Sequence, residues 1–483
     1  MGLKSGNGGA KAYLAELIPQ AFRTYPTLLD ARLALADTTG ADRAGTVAVV
    51  DGNVLMMQLP TVVVMPIADV VRIVWSSIEQ AVGAARLVVV VFDEPAAMTL
   101  AKKAEQTRRD ANRAARKVVT SVDLDDETPL NDFDPATLDA QPCVLKYRDH
   151  RPTRSRFYDE VCRRVMAIFN EKAAKWNASG KAANKSTLVF DGVDLAGATR
   201  PPDEARRVGI VGSVDSDDVV AALQRETPIG EGDIKIQYLD RRVRELAQTD
   251  ENFQPVKLII SCTIDTDSLL IGTLGVARRR MEPPPPVGIA SVLAMRTPAT
   301  KAQKQIDEHT AATFLVVDIV LLEAHMQAHI WKTGVQPTNE QMLNAMIATA
   351  ASAALAGCDF VELGGARFDH FFDAMNSFVR TEPLSLDQFA RALKPDPVVA
   401  QQITHPLLRI CYNASTSMEA KPRYKRQAKS VYECDRATLL RAAWTAAYWC
   451  EVEHVADAEW GFPVFELATS DDVAGNPASS STP

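Results

Sequence analysis

Between residues 46 and 93 the chain reads Thr46-Val-Ala-Val-Val-Asp51, then an amphipathic stretch over residues 67 to 84, then Leu87-Val-Val-Val-Val-Phe-Asp93. The two flanking runs are β-branched and continuously apolar, as strands buried on both faces are. The stretch between them repeats apolar residues at helical spacing. Strand, helix, strand in that order predicts a βαβ unit and a parallel sheet. Both strands run into an aspartate, and the carboxyl ends of strands in such sheets line the crevice where ligands bind.

Further acids fall into the same pattern. Val256-Lys-Leu-Ile-Ile-Ser-Cys262 reads as a strand followed by Asp265 and Asp267. Glu231 and Asp233 stand in Ile229-Gly-Glu-Gly-Asp233, in or just before the first turn of a helix marked by Ile236, Leu239, Val243 and Leu246. The strand Thr187-Leu-Val-Phe190 leads toward that patch, and Asp359 ends a helical run over residues 350–358. Four of the five acidic patches are thus expected at strand ends. Each alone reads as a loop starter or helix cap. Together they would repel one another and raise one another's pKa unless a cation neutralised them. Mg²⁺ prefers such hard oxygen ligands. Two cations about 3.5–4 Å apart can stabilise both oxygens of a phosphodiester displacement. The expectation is a Mg²⁺-dependent phosphodiesterase with two ions per site and Mn²⁺ as a substitute. Asp51, Asp93, Glu231, Asp233, Asp265, Asp267 and Asp359 are its catalytic and metal-holding residues.

The 483 residues and 47% apolar content suffice for a large core. The net charge of −8 does not advertise a nucleic-acid partner, but a local patch matters more than the total. Such a patch follows Asp93. Lys102, Lys103, Arg108, Arg109, Arg113, Arg116 and Lys117 crowd a helix expected over residues 96–119. Lys102 and Arg109 share one face of it. A second basic run lies at 146–156, and a third is Arg278-Arg279-Arg280. Seven cysteines without CxxC pairing and seven scattered histidines give no zinc signature, and the thiols read as reduced and intracellular. The most apolar run, residues 312–322, is too short to span a bilayer and reads as a buried helix, so no membrane partner is expected.

The organisation expected from the sequence is an N-terminal region over 1–120, then an acidic loop and helical segment over 121–185. An internal region follows over 186–375, with a Pro-rich insertion near 282–340 that begins at Pro283 to Pro286. A helical C-terminal region over 376–467 and a disordered tail over 468–483 complete the chain.

The ordered patches resemble the flap endonuclease/XPG superfamily of 5′ nucleases. Met1-Gly-Leu-Lys with Tyr13-Leu-Ala-Glu-Leu-Ile-Pro19 resembles the family's opening helix, with residues 6–11 inserted. Val50-Asp-Gly-Asn53 resembles its first acidic motif, and Val91-Phe-Asp-Glu-Pro95 its second, each family member following the latter with a basic helix. Ile229-Gly-Glu-Gly-Asp-Ile-Lys235 is similar to the Gly-Glu-Gly-Glu motif, with Asp233 in place of Glu. Asp265-Thr-Asp-Ser-Leu-Leu270 is similar to the Asp-x-Asp motif, and Leu355-Ala-Gly-Cys-Asp-Phe360 to the last acidic segment.

Within the superfamily the look is that of flap-nuclease-like proteins of poxviruses and other large DNA viruses. The resemblance implies a PIN-like α/β fold, with a mostly parallel central sheet flanked by helices. It also implies hydrolysis of DNA with 5′ ends or flaps in replication, repair or recombination. Lys102, Lys103, Arg108 and Arg109 would contact substrate phosphates, and the setting would be intracellular, in cytoplasm, nucleus or a viral replication site. Where the family's helix–hairpin–helix should follow Asp359, Gly364-Gly365 offers a remnant turn at irregular spacing, a departure from the family's pattern. That departure keeps a 5′-3′ exoribonuclease as an alternative, beside a non-catalytic structural protein on the same fold.

Overall fold

The computed structural model describes residues 9–59, 65–98, 151–179, 186–196, 208–226, 228–281, 288–297, 313–331 and 336–356. It also describes 103, 107, 134, 135, 137–140, 147, 148, 358, 368, 369, 372, 445, 446 and 449. Asp359, Lys102, Arg108, Arg109, most of the acidic loop, the proline run and nearly all of the C-terminal region lie outside the described residues.

The opening βαβ unit forms as its sequence dictates. Strand β2 (Thr46–Asp51) is buried throughout, helix α4 spans Ile67–Ala84, and β3 is Leu87–Val91. In α4, Val70, Val71, Val74, Trp75, Ile78, Ala81 and Val82 form the buried stripe. Before this unit come α1 (Ala10–Leu17), β1 (Phe22–Tyr25) and α2 (Leu28–Thr39), and the short α3 (Gly52–Met57) follows β2 at once. After it come α5 (Arg151–Ala178), β4 (Thr187–Val193), β5 (Gly209–Gly212), α6 (Asp217–Leu223) and α7 (Gly232–Thr249). Then β6 (Leu258–Thr263), α8 (Asp267–Arg279), β7 (Ala290–Thr297), β8 (Thr313–Asp318), α9 (Ile319–Trp331) and α10 (Asn339–Ala356) complete the described elements.

The eight strands among the described residues form one sheet in the order β1-β8-β7-β6-β2-β3-β4-β5. The run β7-β6-β2-β3-β4 is parallel. Antiparallel partners close both ends, β8 and β1 on one side and β5 on the other. The chain is therefore α/β with a mostly parallel sheet flanked by helices.

Side-chain alternation sorts the two layers. Val47, Val49, Val89, Val91 and Val189 pack against Ile236, Leu239, Val243 and Leu246 of α7. On the same face, further along the sheet, Leu293, Met295 and Val317 join α1, α8, α9 and α10. Ala48, Val50, Val88, Val90 and Phe190 point the other way, toward α2, α4 and α5. Helices on both faces explain why β2 and β3 read as unbroken apolar runs.

Three expectations need correction. Residues 313–318 form strand β8, and the helix expected over 312–322 starts only at Ile319. Thr-Phe-Leu-Val-Val is β-branched and six residues long with its aspartate, and a short apolar run does not reveal its period. Asp318 then caps the helix, its carboxylate accepting from the Leu321 N–H at 2.9 Å. The stretch 282–340, expected as an insertion, supplies β7 and β8 to the same sheet. Finally, the strand at Thr187–Val193 does not lead to residue 231, because β5 and α6 intervene. Glu231 and Asp233 do stand at the start of a helix, as their spacing to Ile236 and Leu239 predicts.

Candidate metal centre

Strand order places the acids. From β2 the chain proceeds to β3, β4 and β5 on one side, and β6, β7 and β8 fill the other. The carboxyl ends of β2 and β6 thus flank a topological switch point, where the crevice of an open α/β sheet lies. Asp51 is the last residue of β2, and Asp265 follows β6 by two. Asp233 comes from the first turn of α7, which crosses the β2–β3 side of that edge. One carboxylate oxygen from each of Asp51, Asp233 and Asp265 lies within 4.8 Å of the others. Among the described residues this is the one cluster of acids, cysteines and histidines that close.

Each carboxylate is oriented by its own element. Asp51 caps α3, its Oδ1 accepting from the N–H groups of Asn53 at 3.0 Å and Val54 at 3.2 Å. Its Oδ2 accepts from Thr263 Oγ1 at 3.5 Å, and the Asp265 N–H donates to the same Thr263 Oγ1 at 3.1 Å. Ser268 Oγ donates to Asp233 at 3.2 Å. Asp93 joins from the next strand, its Oδ1 accepting the Gly232 N–H at 2.9 Å. Glu231 is the buried N-cap of α7 and Asp267 opens α8, so both stand beside members of the trio in the chain.

Two glycines lie at this approach. A Cβ on Gly232 would meet Asn53 Nδ2 at 3.3 Å, a tight contact, and Asp93 Oδ1 and Asp51 Oδ1 at the ordinary distances of 3.5 and 3.7 Å. A Cβ on Gly230 would sit 2.5 Å from the backbone N of Met98, inside van der Waals contact. The Gly230 carbonyl also accepts the Glu94 N–H at 2.7 Å. Gly230→Ala must push the start of α7 away from the backbone at Ala97 and Met98, which follows β3. The expected result is a loss of about 1–3 kcal/mol in urea unfolding, accompanied by weaker Mg²⁺ binding. Unchanged stability would mean the loop has slack there.

Electrostatics marks the cluster as unfavourable on its own. Burial, then the charges of Asp265 and Asp93, push Asp51 up to about 8, and the N–H groups of Val54 and Asn53 only partly oppose this. Burial also pushes the nearby Cys262 thiol up to about 12, so it stays protonated and offers no thiolate. The donors are hard carboxylate oxygens, which fit Mg²⁺ or Mn²⁺ and not a soft metal.

Behind the trio lies a buried ionic network that sequence reading missed. Lys235, one turn into α7, is fully buried and donates to Asp191 Oδ1 at 2.9 Å and Glu94 Oε2 at 3.4 Å. Arg225 grips the other face of Asp191 through two bonds of 2.6 and 2.9 Å. The signal was present: Lys235 falls on the stripe of Gly232, Ile236 and Leu239 that α7 buries. Farther along α7, Asp240 binds Arg244 at 3.0 Å and Arg279 of α8 at 2.7 Å, and accepts from Ser291 of β7. Although burial pushes Asp240 up, Arg279 and Arg244 hold it below the usual carboxylate range. The helix that presents Asp233 is therefore tied down at two levels.

Of the basic residues expected to meet substrate, Lys103 is described; it is helical and its carbonyl accepts from Thr107 Oγ1 at 2.9 Å. No helix among the described residues is long and apolar enough to cross a membrane. Fold and site together define an α/β protein with a mostly parallel sheet and a carboxylate trio at its switch point. The sequence matches no protein-family profile, and no curated protein is significantly similar to it.

Proposed function

We propose that the protein is a Mg²⁺-dependent 5′ nuclease with a PIN-like core, hydrolysing phosphodiester bonds of DNA that carries 5′ ends or flaps. One observation carries this reading: three carboxylates from separate segments, Asp51, Asp233 and Asp265, converge within 4.8 Å at the sheet's switch point. The order of the acidic motifs, which resembles that of the flap endonuclease/XPG superfamily, supports it.

Asp51, Asp233 and Asp265 would hold the cation, with Asp93, Glu231, Asp267 and Asp359 completing the set. A bound Mg²⁺ supplies Lewis acidity toward a phosphoryl oxygen. The chain's own groups orient the site. Backbone N–H groups of α3 fix one Asp51 oxygen, Thr263 ties Asp51 to the Asp265 loop, and Ser268 holds Asp233. Lys102, Lys103, Arg108 and Arg109 would position the strand through its phosphates without reading its sequence.

The test is a panel of 5′-flap, nicked, duplex and single-stranded DNA beside single-stranded RNA of equal sequence, each with Mg²⁺ or with chelator. Mg²⁺-dependent cleavage of DNA, lost in Asp265→Ala, is expected. A strong preference for RNA would move the assignment to an exoribonuclease. No cleavage of any substrate, together with no carboxylate-dependent Mg²⁺ heat by calorimetry, would leave only a structural role.

A further inference from the structure

Beside Asp51, on the face covered by α2 and α4, a cleft of about 40 Å³ is lined by Thr263, Gln58, Ser77, Gln80 and Arg296 as well as Asp51 itself. Its floor is apolar, with Val50, Leu55 and Ala294 among its residues. Arg296 is the next-to-last residue of β7 and shares the orientation of Val292 and Ala294, so its side chain runs along this wall. Its Nη1 donates to Gln58 Oε1 and to Ser77 Oγ, the latter at 3.3 Å. Those two bonds fix the plane of the guanidinium.

Among the described residues no carboxylate lies within ion-pair distance of Arg296, and its Nε and Nη2 donors have no hydrogen-bond partner. On the opposite layer, by contrast, Arg225 holds Asp191, and Arg244 and Arg279 hold Asp240. A half-buried guanidinium left without a counter-charge is costly, and burial alone pulls its pKa below the usual arginine range. The volume matches roughly three waters on the scale at which one needs about 10–15 Å³, which suits a single tetrahedral oxyanion and not a whole nucleotide.

We infer that Arg296, held by Gln58 and Ser77, is a binding residue for one backbone phosphate of the strand whose scissile bond lies at Asp51, Asp233 and Asp265. This rests on the nuclease reading for the identity of the strand. The fork of free Nε and Nη2 donors matches two phosphate oxygens, as a guanidinium does and an ammonium does not.

The experiment measures binding of a fluorescent single-stranded DNA to the full chain by anisotropy, with Ca²⁺ in place of Mg²⁺, over a series of salt concentrations. Arg296→Gln is expected to bind about tenfold more weakly, with a log-affinity against log-salt slope shallower by about one. Arg296→Lys should keep the slope and recover only part of the affinity. Ser77→Ala keeps the charge and loosens its orientation; a small loss with an unchanged slope is expected. Thermal melting reports which variants fold. Wild-type binding that is absent, or unchanged in every folded variant, overturns the assignment. The two readings fail separately. Arg296-dependent binding without cleavage of any substrate defeats the nuclease and keeps the phosphate subsite. Cleavage by a protein whose binding ignores Arg296 does the reverse.

Discussion

Replacing Asp51 with Asn is expected to lower Mg²⁺-dependent cleavage by on the order of a thousandfold while making the metal-free protein more stable at alkaline pH. The first effect follows from the role assigned to the carboxylate. Lewis-acid stabilisation is worth several kcal/mol, and each 1.36 kcal/mol is a factor of ten in rate. The second follows from burial. Asp51 is 4% exposed, with Asp265 and Asp93 close by, and these raise its pKa from 3.8 to about 8. Asn at this position can still cap α3, because its carbonyl accepts the same N–H groups. It cannot carry the charge that the metal-free fold resists.

The pH window follows from proton counting. Between pH 4 and pH 8 the folded, metal-free protein keeps the Asp51 proton and the unfolded chain has lost it. Stability therefore falls as pH rises through this window and levels off above about 8. Four pH units at about 1.36 kcal/mol each amount to on the order of 5 kcal/mol for wild type. Asp51→Asn should lack this slope. Urea unfolding in chelator at pH 4, 7 and 9 measures it: the curves should lie closest near pH 4 and separate toward pH 9. Parallel profiles would show that Asp51 is ionised throughout and its burial unimportant. Added Mg²⁺ should narrow the gap in wild type alone, because binding requires the deprotonated carboxylate.

How far the sequence reveals this site depends on which physical signal each part carries. The βαβ core was legible because β2 and β3 are unbroken β-branched runs and α4 has a wide apolar stripe; the helix bounds expected and observed coincide. The convergence of Asp51 and Asp265 was legible in outline, since both follow strands. Their adjacency was not, because it depends on β6 returning to lie beside β2, a long-range pairing that no local pattern encodes. Asp233 reaches the trio from a helix start, so its expected place near a strand end was wrong even though its helical position was right. Residues 313–318 misled because a six-residue apolar segment fits a strand or a buried helix equally. Thr263, Ser268 and Arg296 gave no signal, since a single polar residue acquires its role only from what the fold puts opposite it.

Lys235→Met is expected to destabilise the fold by about 3–5 kcal/mol, the cost of leaving a buried charge uncompensated. The network holds two cations, Lys235 and Arg225, against two anions, Asp191 and Glu94, and Lys235 and Asp191 are both fully buried. Methionine fills the space of the lysine stem but leaves Glu94 and Asp191 sharing one guanidinium. Glu94→Gln alone errs the other way, leaving two cations on Asp191. Combining them restores neutrality, with the Arg225–Asp191 pair intact. The double variant should therefore be more stable than the sum of the single losses predicts, by an interaction energy of about 1–3 kcal/mol. Additive losses in urea unfolding would show that the four charges do not act as one unit. The functional readout separates packing from positioning. Lys235 lies two residues from Asp233 on the helix whose Gly232 N–H holds Asp93. If the network fixes that helix start, the double variant regains stability but not full Mg²⁺ affinity, because methionine no longer ties α7 to β4. Full recovery of both would make Lys235 a matter of charge balance alone.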